Sequence, residues 1–257
     1  MTNNLEIKQS YQEDEYWFPY HYIGKFENNH FKHFFLDTWA INYVSTIEFM
    51  LERIALSVIP KTQIVDIGCG DGRFSRELAL AFPSATVVGI DYSMRAIALA
   101  SAMNQDIANL KFKSIDITKN HCLDPFDIAV LMEVFEHIPV EDAGNFIEAV
   151  RTLLKEDGVL YLTVPHENKP LEYKHFQHFS IEKILHYLTP YFYIDEVIPF
   201  ERISWWRQMM LKVLSNRLFI LSNLKMLTLI YKWYKKNLFT CDSELECQRI
   251  FVKAGAK

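Results

Sequence analysis

The chain reads as an α/β fold, a mostly parallel sheet of seven strands with helices on both faces. Three observations predict it. Short apolar runs alternate with helical patterns from residue 38 onward, the signature of a parallel sheet covered on both sides. One run leads straight into a turn with glycines at alternate positions, Gly68, Gly70 and Gly72. Acidic residues recur where successive runs end, at Asp66, Asp91, Asp116 and Glu133. Ligands of open α/β sheets sit at the carboxyl ends of strands.

The elements follow in order. Residues 1–36 are polar but hold an aromatic cluster, Tyr16 to Tyr22, expected to pack as a lid segment over the site or against the first helix. Thr38–Val58 is an amphipathic helix, with Trp39, Tyr43, Ile47, Met50 and Ile54 at helical spacing and Pro60 beyond its end. Ile64–Ile67 is a strand and Arg73–Ala81 the helix after the glycine turn. Thr86–Ile90 is a strand ending at Asp91, and Ser93 caps a helix to about Asn104. Leu110–Ile117 and Phe126–Met132 are strands, and Val140–Leu154 is a helix. Pro165 stops the strand Gly158–Val164, and Ser180 caps a helix to Leu188. Tyr193–Phe200 and Gln248–Lys253 complete the strands.

Composition bounds the function classes. The 257 residues are 50% hydrophobic and 23% charged, ample for a globular core. No apolar run approaches a membrane span, and Met1 to Asp14 lack the apolar stretch of a leader peptide. Cys69, Cys122, Cys241 and Cys247 form no C-x-x-C pair. This argues against structural zinc and for a reducing, cytoplasmic setting. Residues 201–239 hold eight basic side chains against one acidic, a net +7, which leaves the rest of the chain at −12 for a total of −5. Such asymmetry hints at a partner for the basic part.

Glycine lacks a Cβ, so the backbone at Gly68 and Gly70 can turn sharply and let a ligand approach, while the next helix points free N–H groups toward it. With the acid in front, Asp66 to Gly72 reads D-x-G-x-G-x-G. This resembles motif I of the class I S-adenosylmethionine-dependent methyltransferases. The resemblance covers Ile64 to about Phe200 and the final strand. It implies a Rossmann-like fold whose last strand runs antiparallel, so that 37–257 form the methyltransferase domain and 201–245 a helical insertion between strands six and seven. Cofactor contacts are then expected at Asp66, Gly68, Cys69 and Gly70, at Asp91, Tyr92 and Ser93 for the ribose hydroxyls, at Asp116 and Ile117 around the adenine, and at Met132 and Glu133.

Methyl transfer to a hydroxyl requires an oriented nucleophile and a proton acceptor. Candidates are His137, His175 and His178, with His166 nearby. Glu133, Glu136 and His137 spell E-x-x-E-H, and His175 and His178 spell H-x-x-H. The combination resembles two branches, the ubiquinone-pathway and related O-methyltransferases and the small-RNA 2′-O-methyltransferases. The second branch implies a divalent ion held by Glu133, Glu136, His137 and His178, whereas the first needs none. The expected acceptor is a small or lipid- or glycan-linked molecule; a fold retained only to bind cofactor is the non-enzymatic alternative. The acidic bulk of the chain disfavours nucleic acid. In the insertion, Arg217, Lys225, Lys232, Lys235 and Lys236 share roughly 100° of helical arc. That pattern suits either peripheral contact of 201–239 with an anionic membrane or a hairpin packed on the sheet with its basic face in solvent.

Overall fold

A computed structural model of the chain describes residues 26–27, 29–31, 38–119, 123–214, 221 and 223–257. The aromatic cluster Tyr16 to Tyr22, Cys122 and Arg217 lie outside the described residues. A short hairpin, β1 (Phe26–Glu27) and β2 (His30–Phe31), precedes α1 (Thr38–Ile54). Then follow β3 (Gln63–Ile67), α2 (Arg73–Ala81), β4 (Thr86–Asp91), α3 (Met94–Met103), β5 (Leu110–Ser114), β6 (Phe126–Met132), α4 (Ala143–Thr152), β7 (Leu154–Pro165) and α5 (Ile181–Leu188). The chain ends with β8 (Phe192–Arg202), α6 (Trp205–Leu214), α7 (Leu224–Asn237) and β9 (Cys247–Ala256).

The main sheet has seven strands in the order β5-β4-β3-β6-β7-β9-β8. β3, β4, β5, β6 and β7 run parallel, and β9 lies antiparallel between β7 and β8. The central strands bury both faces. Ile128 and Val130 of β6 enter one core with Phe74 and Leu78 of α2, while Ala129 and Leu131 enter the other with Phe146 and Ile147 of α4 and Ile184 of α5. That two-residue alternation is why these strands read as continuous apolar runs.

Several boundaries differ from the sequence expectation, each for a local reason. The first helix stops at Ile54 rather than Val58: Ser57 turns back on Ile54, and Lys61 takes a left-handed φ of 72° before β3. β5 ends at Ser114 rather than Ile117, because the Asp116 carboxylate accepts from the Thr118 N–H at 3.1 Å and turns the chain. Val140–Asp142 forms a 3₁₀ turn before α4, where Asp142 N–H reaches the Pro139 carbonyl. β7 begins at Leu154, earlier than Gly158, since Leu154 already pairs with Phe126. β8 extends through Glu201 to Arg202, two residues beyond Phe200.

The insertion packs on α1. Tyr234 donates to Asn42 at 2.8 Å, Tyr231 to Glu48, and Lys235 pairs with Glu48 at 2.8 Å. Arg202 pairs with Asp242 at 3.0 Å, and Arg207 with the buried Glu201. Part of the basic excess is thus neutralised within the fold. No helix of the described residues is long and apolar enough to cross a membrane.

Phe135 anchors the turn that follows β6. It is fully buried and stacks on Phe179 at 5.0 Å and Phe146 at 5.8 Å. Phe135→Ala is expected to cost about 3–5 kcal/mol through the cavity it leaves, read as a lower midpoint in urea unfolding.

Candidate active site

The glycine turn is built by its hydrogen bonds. Gly68 and Cys69 both donate to the Ile90 carbonyl, at 2.8 and 3.0 Å, which ties the turn to the end of β4. Gly68, Gly70 and Gly72 have φ of 70°, 54° and 81°. A Cβ on Gly68 would sit 2.7 Å from the Val134 side chain, so neither the conformation nor the space admits another residue. Asp91 then clamps the turn. One carboxylate oxygen accepts from Gly70 N–H at 3.0 Å and the other from Ser93 N–H at 2.9 Å.

Asp66, the penultimate residue of β3, lies before this turn and receives the Ser75 hydroxyl at 2.5 Å. Burial, with Asp91 nearby adding repulsion against the relief from Ser75, pushes its carboxyl up to about 7. Burial also pushes the Cys69 thiol well up, so it is an inert small residue here. Asp116 goes the other way. Burial works to raise it, but the Lys119 ammonium at 2.7 Å and the Thr118 hydrogen bonds bring it below the usual range. The Ser93 hydroxyl is taken by the cap of α3, accepting from Ala96 N–H at 3.2 Å.

A single cavity of about 820 Å³ joins these residues to the histidines. Its walls include Asp66, Gly68, Cys69, Gly70, Asp91, Tyr92, Asp116, Ile117, Met132 and Glu133, together with Glu136, His137 and His175. Ser93 and His178 are not among the lining residues.

Glu133 leaves β6 with a left-handed φ of 59°, a conformation that costs a non-glycine residue energy and clusters at functional sites. Its Oε2 accepts from Arg249 Nε at 2.8 Å. Glu136 is 1% exposed, and its Oε2 has no hydrogen-bond partner. Burial first, and Glu133 second, hold its carboxyl well above the usual range.

The histidines form a directed chain. His178 Nδ1 lies 3.0 Å from the Lys169 carbonyl, which can only accept, so this nitrogen carries the proton. Burial holds His178 below its ordinary value, so its Nε2 keeps a lone pair. That lone pair takes a hydrogen bond from His175 Nδ1 at 2.8 Å. His175 Nε2 is therefore left with its lone pair. Burial, followed by His137 and His178, drives His175 far below its ordinary value and keeps it neutral. His137 meets His175 edge to face at 4.8 Å.

Donor atoms of Glu136, His137 and His175 all lie within 4.8 Å of one another. Two imidazoles and a carboxylate suit a divalent ion such as Zn²⁺ or Mn²⁺. The expected ion set differs in two members: Glu133 is turned to Arg249, and His178 stands behind His175. His166 is structural, with Nε2 on Glu244 at 3.0 Å and Nδ1 accepting from Asn168 N–H.

Sequence reasoning missed Arg249, Lys169, Glu172 and Tyr43, which also line the cavity. Arg249 was detectable in principle. β9 is antiparallel and pairs Arg249 with Pro165 at the carboxyl end of β7, so the first residues of the last strand must face the site.

The family model described as "Methyltransferase domain" matches residues 60–191, just over half of the chain. A ubiquinone biosynthesis O-methyltransferase of Glaesserella parasuis is 35% identical over 108 residues, 39% of this chain and 44% of that protein. A trans-aconitate 2-methyltransferase of Deinococcus radiodurans is 35% identical over 106 residues, 41% of this chain and 39% of that one. The chain thus spans less than half the length of these curated relatives. Among solved structures, the magnesium protoporphyrin IX methyltransferase of Synechocystis with bound SAM superposes with a TM-score of 0.63 at 17% identity, covering 99% of this chain and 97% of that one. The N-methyltransferase NodS of Bradyrhizobium japonicum with S-adenosylhomocysteine gives 0.57 at 17%, covering 83% and 87%. This chain belongs to the class I S-adenosylmethionine-dependent methyltransferase family.

The family's cofactor presents a cation, which an ionised Asp66 attracts and a neutral one does not. Asp66 is ionised above about 7 and neutral below it. Cofactor affinity is therefore expected to fall as pH drops through that value, and Asp66→Asn to flatten the dependence. Calorimetric titration of S-adenosylhomocysteine across pH reads both. Asp91→Ala removes two hydrogen bonds to a charged group and should weaken binding at least about tenfold in the same assay.

Proposed function

We infer that the chain transfers a methyl group from S-adenosylmethionine to a hydroxyl oxygen of a small or lipid- or glycan-linked acceptor, in the cytoplasm. The observation that carries the reading is the single cavity in which the cofactor loop and His175 share one space. The ubiquinone-pathway similarity supports an oxygen acceptor. Unpaired Cys69, Cys241 and Cys247 support a reducing compartment.

Bound S-adenosylmethionine supplies an electrophilic methyl on a sulfonium. Gly68 to Gly70, Asp66 and Asp91 hold the donor. Asp116 and Ile117 frame the far end of the cavity. His175 Nε2 accepts the acceptor's hydroxyl proton as the oxygen attacks, and His178 fixes the ring through the hydrogen bond to Nδ1. His137 packs on His175 and limits its rotation.

His175→Gln is expected to lower kcat about 100-fold or more while calorimetric cofactor affinity stays unchanged. His178→Ala should give a smaller loss. Turnover is read with labelled S-adenosylmethionine over a panel of phenolic and hydroxyl acceptors. Full activity of His175→Gln would remove it from the reaction, and binding without turnover on every acceptor would favour a non-catalytic role.

The proximity of Glu136, His137 and His175 favours a second reading, in which a divalent ion held there lowers the pKa of the acceptor hydroxyl. Chelation should then abolish turnover, and Glu136→Gln should release the ion measured by elemental analysis. Indifference to chelator leaves the metal-free route. Ion-dependent labelling of RNA would instead indicate a 2′-O-methyltransferase.

A further inference from the structure

The insertion keeps on its outward faces what its packing does not use. On α6, Met210 and Leu214 pack against the core. Trp205, Trp206, Met209 and Val213 occupy the other side, sharing roughly 100° of arc. Trp205 and Trp206 are each 61% exposed and Val213 50%, with exposed Lys212 beside them. On α7 the inward face is Leu227, Thr228, Tyr231 and Tyr234, all buried. Its outward face carries two adjacent rows. One is apolar, with Leu229 67% exposed, Met226 51% and Trp233 41%. The other is basic, with Lys225, Lys232 and Lys236 exposed.

Neither row serves the fold, since the opposite faces already fill the core. No acidic residue occurs between Arg202 and Cys241, so nothing within that stretch offsets these lysines. Tryptophans beside lysines are the pattern of a surface that lies in a lipid headgroup layer. The indoles seat at the headgroup level, and the lysine stems let their ammonium groups reach phosphates. Anionic lipid adds about 1 kcal/mol of attraction per lysine near the surface.

We propose that the outward faces of α6 and α7 dock on an anionic lipid surface, as peripheral contact without spanning. A free polyanion would engage the lysines but leave the apolar rows in water. A second copy meeting through the same faces would bring the lysine rows together, which like charges oppose. The proposal goes beyond the methyl-transfer reading and is compatible with it, because a docked chain would meet a lipid-linked acceptor at its source.

The test is cosedimentation of the full chain with vesicles of phosphatidylcholine, alone or mixed with phosphatidylglycerol, at low and high salt. Binding to the anionic vesicles that weakens with salt is expected, with a blue shift of tryptophan emission. Lys225→Glu, Lys232→Glu and Lys236→Glu combined should weaken it at least about tenfold. Trp205→Ala with Trp206→Ala should weaken it while leaving the salt dependence. Calorimetric binding of S-adenosylhomocysteine reports a separate cavity and serves as the control. Intact cofactor binding without vesicle binding overturns this proposal alone, whereas lost cofactor binding with intact vesicle binding overturns only the methyl-transfer reading. Unchanged vesicle binding by the lysine variant overturns the proposal. So does a tryptophan variant that shifts the oligomeric state in gel filtration without any vesicle binding, which would assign the surface to a second copy.

Discussion

The crevice beside β3 governs the rest of the molecule. β3 lies between β4 and β6, both parallel to it, and strand order reverses there, since the chain lays β4 and β5 on one side and β6 and β7 on the other. The helices after β3 and β6 therefore pack on opposite faces of the sheet, and the carboxyl ends of those strands are left open between them. The residues that the chemistry uses leave the sheet at this opening. Asp66 is next to last in β3, Asp91 ends β4 and Glu133 follows β6. The site is a consequence of parallel pairing, and the glycines only make its floor passable.

That dependence explains what the sequence made legible. A residue at or just past a strand end can be placed near the rim from the strand alone, and Asp66, Asp91 and Asp116 do line the cavity. Helix Arg73–Ala81 and strand Phe126–Met132 were legible to the residue because apolar periodicity and bounding turns agreed there. Residues delivered by long-range pairing were not legible. Arg249 reaches the cavity only through its register with β7, and Tyr43 only through the packing of α1 on the sheet. The histidines are an intermediate case. Their spacing marked His175 and His178 as a pair, but which one faces the cavity depends on the Lys169 carbonyl, nine residues from His178.

Burial raises both Asp66 and Glu136 on the cavity wall, while Asp91 on the same wall is held by backbone donors. The backbone N–H groups of Gly70 and Ser93 compensate the Asp91 carboxylate. Glu136 keeps one carboxylate oxygen without a hydrogen-bond partner, and His175 is held neutral by burial beside neighbouring histidines. An acid biased toward its proton beside an imidazole biased away from one is an arrangement tuned by environment rather than by residue type. It accommodates proton transfer or a divalent ion, because both require a lone pair and a displaceable proton in a dry corner.

The insertion is linked to that corner by a ladder of charge. Arg207 on α6 pairs with Glu201, Glu201 with Arg249, and Arg249 with Glu133 at the mouth of the site. Glu201 is 1% exposed, so its charge is sustained only by the two guanidinium groups. Removing either arginine would leave a buried carboxylate underpaired, and the surviving arginine would be drawn toward it. For Arg249, that movement is away from Glu133. The position of Glu133, and through repulsion the proton on Glu136, is therefore coupled to how α6 sits on the body of the protein. The helical segment between β8 and β9 is in this way joined to the cavity wall through two arginines and one acid that α6, β8 and β9 contribute singly.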